Sequence, residues 1–180
     1  MCPLEPWPLK ARAVGPDLRL FKTRFDQLEN PRTGRVSTAL VIESGDWCNV
    51  VARNPTGDYI LVRQFRFGSG DFTLEVPGGA MDPGEVPLQS AKRELREETG
   101  YEAAKWTDLG SVAPNPAFLN NRCHHFLAED AKCVGELQQD AGEDVEVVIC
   151  TPDEIREHMR TGAIDHALAL TALWRSFERD

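Results

Sequence analysis

The stretch from Pro87 to Gly100 constrains this chain more than any other. Pro87 suits the first position of a helix, where a missing N–H costs nothing, and Gly100 suits the left-handed stop just past its end. The spacing therefore predicts a helix over 87–99. At about 100° per residue, Leu88, Ala91, Leu95 and Thr99 share one side and pack on a core. Glu94, Glu97 and Glu98 occupy the neighbouring arc. Glu94 forms like-charge pairs with Glu97 and Glu98, each costing about 0.2–0.5 kcal/mol in an isolated helix. They also stand near the helix C-terminus, the wrong end for the macrodipole. Such a run reads either as a solvated face compensated by Arg93 and Arg96, or as carboxylates gathered for a cation.

Around this helix the pattern alternates. Runs that read as strands are Leu18–Leu28, Val36–Glu43, Cys48–Arg53, Tyr59–Gln64, Thr73–Val76, Trp106–Val112, Arg122–Ala128 and Val145–Cys150. Turn clusters at 30–34 and 54–58 join the first two and the next two. Further helices are expected over Pro152–Arg160 and Asp165–Phe177. Residues 1–17 are Pro-rich and expected to be irregular, and Ala131–Glu143 is the least structured internal segment. Strands and helices mixed in this way predict an α/β (α+β) sandwich with helices covering a sheet.

Twenty basic residues against 29 acidic ones leave a net charge of −9. That excludes a broad electrostatic pull on nucleic acid or anionic lipid. Phosphates would have to be met by local cations or a bound metal. No apolar run is long enough to cross a bilayer, and Met1–Ala13 carries no secretory apolar core. Cys2, Cys48, Cys123, Cys133 and Cys150 form no CxxC pair and read as reduced, mostly buried thiols of a cytoplasmic protein. His124 and His125 are adjacent on an expected strand, face opposite ways and cannot chelate together.

Fixed spacing decides between the two readings of the acidic helix. Gly79 is followed after five residues by Glu85, and after seven more by Arg93-Glu94-Leu95-Arg96-Glu97-Glu98-Thr99-Gly100-Tyr101. From 79 to 101 this resembles the Nudix box; only Tyr101, where an aliphatic residue is more usual, departs from it. The resemblance implies a Nudix fold, an α/β/α sandwich with a mixed sheet. It also implies Mg²⁺ or Mn²⁺ and hydrolysis of a nucleoside diphosphate linked to another group. Glu94 and Glu98 are then the main metal ligands, with Glu97 ligating or bridging through water and the Gly78 carbonyl completing the shell. Arg93, Glu85, Gly79 and Gly100 hold the box in shape. The chemistry agrees, because hard divalent cations take oxygen ligands, and Mg²⁺ bridges one or two carboxylates to substrate phosphates.

Outside the box, Leu61-Val62-Arg63-Gln64-Phe65-Arg66 and Thr73-Leu74-Glu75-Val76-Pro77-Gly78-Gly79 look like the ADP-ribose and nucleotide-sugar pyrophosphatase branch. Pro116 stands near a marker proline of that branch. It is followed by Ala117-Phe118-Leu119-Asn120-Asn121, without the usual acid, which leaves room for another sugar such as GDP-mannose. By resemblance Arg66 meets the diphosphate, Glu75 and Asn120 bind sugar or base, and Phe21 or Phe25 stacks on the base. The water activator is expected in the loop before the last strand, at Glu143, with Asp140 and Glu136 as alternatives. Residues 1–35 resemble an N-terminal β extension in a homodimer interface, ahead of a hydrolase domain over 36–180. The expected reaction is Mg²⁺-dependent cleavage of a nucleoside diphosphate sugar to a nucleoside monophosphate and a sugar phosphate. The alternatives are hydrolysis of nucleoside triphosphates or dinucleoside polyphosphates, and binding of a nucleotide sugar without turnover.

Overall fold

The structure is a computed structural model that describes residues 4–136 and 144–179. Two compact units emerge from its contacts. The first comprises residues 1–45 and 113–122, the second 46–112 and 123–180.

The first unit holds an antiparallel sheet of β1 (Leu9–Asp17), β2 (Lys22–Glu29) and β3 (Val36–Glu43), in that order. It runs past residue 35, the boundary expected from sequence, because β3 pairs with β2 from Val36 to Glu43. β1 corrects the expectation that residues 1–17 are irregular. Its stabilising contacts are cross-strand ion pairs rather than apolar alternation: Arg12 grips Asp26 through two bonds of 2.7 and 2.9 Å, and Lys10 meets Glu29. β1 is an edge strand, so Pro16 removes no needed ladder bond. The strand expected from Leu18 starts only at Lys22, since Arg19 takes a left-handed conformation (φ 69°) and Leu18–Phe21 makes the reversal. The 30–34 turn forms as expected, with the Asn30 side chain accepting from the Arg32 N–H. Residues 113–122 return to this unit, where Ile42 N–H donates to Phe118 O.

In the second unit the strands are β4 (Trp47–Arg53), β5 (Tyr59–Arg66), β6 (Asp71–Glu75), β7 (Gly78–Ala80), β8 (Tyr101–Glu102), β9 (Lys105–Val112), β10 (Cys123–Glu129), β11 (Lys132–Cys133) and β12 (Val145–Cys150). Its helices are α1 (Pro87–Thr99), α2 (Pro152–Thr161) and α3 (Ala167–Phe177). The main sheet is mixed, ordered β12-β5-β4-β10-β9, with β4 and β10 parallel and the neighbouring pairs antiparallel.

Alternation along the central strands builds two cores. Val51, Tyr59, Leu61 and Leu127 face α2 and α3, where they meet Ile155, Ala169 and Leu173. Cys48, Val50, Ala52, Ile60 and Phe126 face α1 and meet Ala91 and Leu95. This is the expected sandwich of helices on both faces of a sheet.

One irregularity in the sheet positions the site. β4 and β5 pair only at Ala52–Ile60 and Arg53–Tyr59 and then part. The start of β4 pairs instead with β7, and the end of β5 with β6. The sheet therefore splits, and Val76-Pro77 crosses the gap between β6 and β7. Helix starts differ in their chemistry. Thr151 and Glu154 form a capping box on α2, whereas α1 and α3 begin without a side-chain cap.

Candidate active site

The box glycines lie at the split. A Cβ at Gly78 would stand 2.1 Å from the backbone Cys48 O of β4, so only glycine fits there, and one at Gly79 would stand 2.6 Å from Glu94 Oε1 and would displace that carboxylate. Gly100 ends α1 at φ 74°, its N–H donating to Arg96 O.

Glu94 and Glu98 are buried rather than solvated. Glu98 Oε2 accepts from the Gly78 N–H at 2.8 Å. Arg93 lies between the other carboxylates. Its Nε and Nη2 donate to Glu85 at 3.1 Å each, and its Nη1 reaches Glu94 at 2.8 Å and Glu97 at 3.0 Å. The Arg93 bonds hold the Glu85 carboxyl down at about 2, with its partly offsetting burial second, and the same carboxylates raise Arg93 above its ordinary value. The structure thus brings Arg93, Glu85, Glu94 and Glu97 into one group.

Among the described residues, no three His, Cys, Asp or Glu side chains converge closely enough to hold a metal ion by themselves. The donors nevertheless suit a hard cation. Glu94 and Glu98 are buried oxygen ligands beside a glycine backbone, and Glu97 is half-exposed next to them. Mg²⁺ characteristically takes one or two carboxylates and completes its octahedron with water and substrate phosphate.

A cleft of about 630 Å³ opens from Gly78 and Gly79 to Arg66, Thr73, Glu75 and the start of α3. Arg66 forms two bonds to Glu75, Nε to Oε1 at 2.8 Å and Nη2 to Oε2 at 2.9 Å. Thr73 Oγ1 donates to Oε1, and His166 Nδ1 stands 2.6 Å from Oε2. Burial pushes the Glu75 carboxyl up, but the bonds from Arg66, His166 and Thr73 outweigh it and hold it well below its ordinary value. Both Glu75 oxygens are thereby engaged within the protein. Its observed contacts anchor Arg66, instead of leaving the carboxylate open to sugar or base.

His166 escaped the sequence reading, which placed it inside a helix starting at Asp165. The helix starts at Ala167, leaving His166 at its N-cap in the cleft wall. Thr73, on β6 beside Glu75, was also missed; its only signal was a hydroxyl two residues from an expected pocket acid.

Phe21 and Asn120 belong to the first unit. Phe21 is half-buried beside the reversal before β2, and Asn120 Oδ1 accepts from the Ser44 N–H at 3.2 Å. Glu143 and Asp140 lie outside the described residues. Arg96 Nη1 donates to the Glu136 carbonyl at 3.0 Å, just before that segment. His124 and His125 do face opposite ways: His124 Nε2 meets Asp46 at 3.0 Å, and His125 is fully buried. Burial pushes the Cys48 and Cys123 thiols up to about 11 and 12, which keeps them protonated and unreactive at neutral pH.

Comparison with known proteins adds three findings. Residues 47–171 match the NUDIX domain. ADP-ribose pyrophosphatase of Bacillus subtilis is 34% identical over 67% of this chain and 66% of its own length. ADP-ribose pyrophosphatase of Mycobacterium tuberculosis is 35% identical over 64% of this chain and 56% of its own. The chain therefore spans about two thirds of the first relative and just over half of the other. A crystal structure of an ADP compounds hydrolase superposes with a TM-score of 0.86 at 22% identity, covering 99% of this chain and 96% of that one, a likeness of fold.

Proposed function

The chain belongs to the NUDIX family, and from that premise we propose that it cleaves the diphosphate of a nucleoside diphosphate sugar of the ADP-ribose class. The products are a nucleoside monophosphate and a sugar phosphate. One observation carries the reading: a single cleft has buried carboxylates behind Gly78–Gly79 at one end and the Arg66 guanidinium at the other. A diphosphate laid along it meets a cation site and an arginine at once, and the guanidinium fork suits a phosphate. The names of the two bacterial relatives point to the same substrate class.

In this reading Glu94 and Glu98 hold Mg²⁺, with Glu97 joining directly or through water and Mn²⁺ able to substitute. The metal, when bound, neutralises the diphosphate and lowers the pKa of an attacking water. Arg93 keeps Glu94 and Glu97 apart and in register by bonding both while anchored on Glu85. Glu143 takes the proton of the attacking water, with Asp140 and Glu136 as the other candidates. Exposed Val14 and Leu20 in the first unit favour burial against a second copy, hence a homodimer. The unpaired buried Cys48, Cys123 and Cys150 favour the cytoplasm.

The test is chromatographic product analysis with Mg²⁺ and a panel of ADP-ribose, ADP-glucose, GDP-mannose and UDP-glucose. AMP from ADP-ribose is the expected result, and GMP from GDP-mannose would move the base preference to guanine. If no member yields a monophosphate, the proposal falls and triphosphates or pure binding take its place. Light scattering should give twice the 20.1 kDa chain mass; a monomer would remove the dimer.

A further inference from the structure

His166 has no role in the reaction as set out above, yet its ring is built into the cleft wall. Nδ1 is buried and lies 2.6 Å from Glu75 Oε2. The close approach sets Nδ1 directly against the carboxylate. About a third of the side chain remains exposed. With Nδ1 buried, that exposed part is the opposite edge of the ring, which bears Nε2. Among the described residues Nε2 has no protein partner.

Arg66 Nη2 and His166 Nδ1 both lie within one hydrogen-bond length of the same carboxylate oxygen. Glu75 therefore does more than neutralise Arg66. It fixes a guanidinium and an imidazole side by side on one cleft wall. We propose that His166 is a substrate-binding residue whose Nε2 edge meets the same phosphate as Arg66. This rests on the nucleotide-diphosphate reading of the cleft. From that edge Nε2 reaches a phosphate oxygen across one hydrogen bond, beside the free donors of Arg66. The phosphate is thus held from the side opposite the carboxylates of α1.

Two substitutions separate contact from positioning. The amide of His166→Asn reproduces Nδ1 and keeps Glu75 satisfied, but offers nothing at Nε2. The longer His166→Gln places its amide near the Nε2 position. The expected result is that KM for ADP-ribose rises about tenfold or more in His166→Asn, the loss of one charge-assisted hydrogen bond. kcat changes little, and His166→Gln recovers most of the loss. Wild-type KM in His166→Asn would overturn the proposal, because positioning of Glu75 would then be the only role. Calorimetric titration with inorganic pyrophosphate and Mg²⁺ reads the same contact without turnover. If wild type cleaves no nucleotide sugar but pyrophosphate affinity still falls in His166→Asn, the function fails and the subsite stands. Equal pyrophosphate affinity in wild type and His166→Asn overturns the subsite whatever the enzyme cleaves.

Discussion

His125 gives a prediction that turns on burial alone. It sits on β10 opposite Gly110, wholly removed from solvent, and neither ring nitrogen has a hydrogen-bond partner among the described residues. Burial first, and the nearby Arg175 charge second, lower its pKa from 6.5 to about 4. The unfolded chain therefore binds a proton between those values that the folded chain refuses. The sign follows: stability contributed by the neutral ring is complete above pH 6.5, falls as pH drops, and is fully lost near pH 4. At about 1.4 kcal/mol per pH unit, the loss is about 3 kcal/mol. Urea unfolding of wild type and His125→Leu at pH 7.5, 6.5, 5.5 and 4.5 isolates it, leucine being close to histidine in size and unable to titrate. Glu75 and Glu85, both held low by their partners, weaken in acid in both proteins and cancel in the difference. The wild-type curve should descend more steeply by about 2.5 kcal/mol over that range, the remainder being lost below pH 4.5. Parallel curves would mean that water or a polar partner reaches the ring, and the burial argument would be wrong.

Glu98→Gln should lower kcat about 100-fold or more with little change in Tm. The amide oxygen can still accept from the Gly78 N–H, so a large drop in Tm would reassign Glu98 to folding. Gly79→Ala places a methyl 2.6 Å from the Glu94 carboxylate and must push it off Arg93. Turnover should fall about 10- to 100-fold while circular dichroism stays unchanged, and wild-type kinetics would show that Glu94 needs no fixed place. Removing divalent cations with EDTA should abolish cleavage of ADP-ribose, and adding Mg²⁺ should restore it. Undiminished turnover in EDTA would refute the role given to α1.

What could be read from sequence was whatever a local rule dictates. Pro87 and Gly100 bracket α1 because one lacks a donor and the other tolerates φ 74°, so both ends came out to the residue. Strands β4, β5 and β10 alternate because each faces two cores. β1 was illegible because its contacts are ion pairs with β2, and no apolar period marks an edge strand of that kind. The burial of Glu94 and Glu98 was equally hidden. A helical wheel places them beside the core arc, but only the approach of Gly78 and Gly79, across a sheet that splits at Ala52–Ile60, covers them. Arg66 and Glu75 were each visible as polar residues near the box. Their mutual bidentate bond comes from the pairing of β5 with β6, and the imidazole beside it from a helix starting two residues later than its periodicity suggests.

Charge balance joins the two ends of the cleft. On α1 and just before it, Arg93 bonds three carboxylates, Glu85, Glu94 and Glu97, while Glu98 lies buried against the Gly78 N–H. Arg66, at the other end, is already matched by Glu75. The chain's own groups thus leave the cleft negative. An anionic diphosphate entering it would be repelled more strongly the further water is excluded. A divalent cation on Glu94 and Glu98 would reverse that sign locally, and Glu75 bonds Arg66 through Nε and Nη2 only, leaving its Nη1 clear of that pair. In the proposed reading, the like-charge pairs that weaken α1 as an isolated helix would make anion binding conditional on metal. Under the proposed function, that condition would let an acidic protein, net charge −9, act on the phosphoanhydride of a diphosphate.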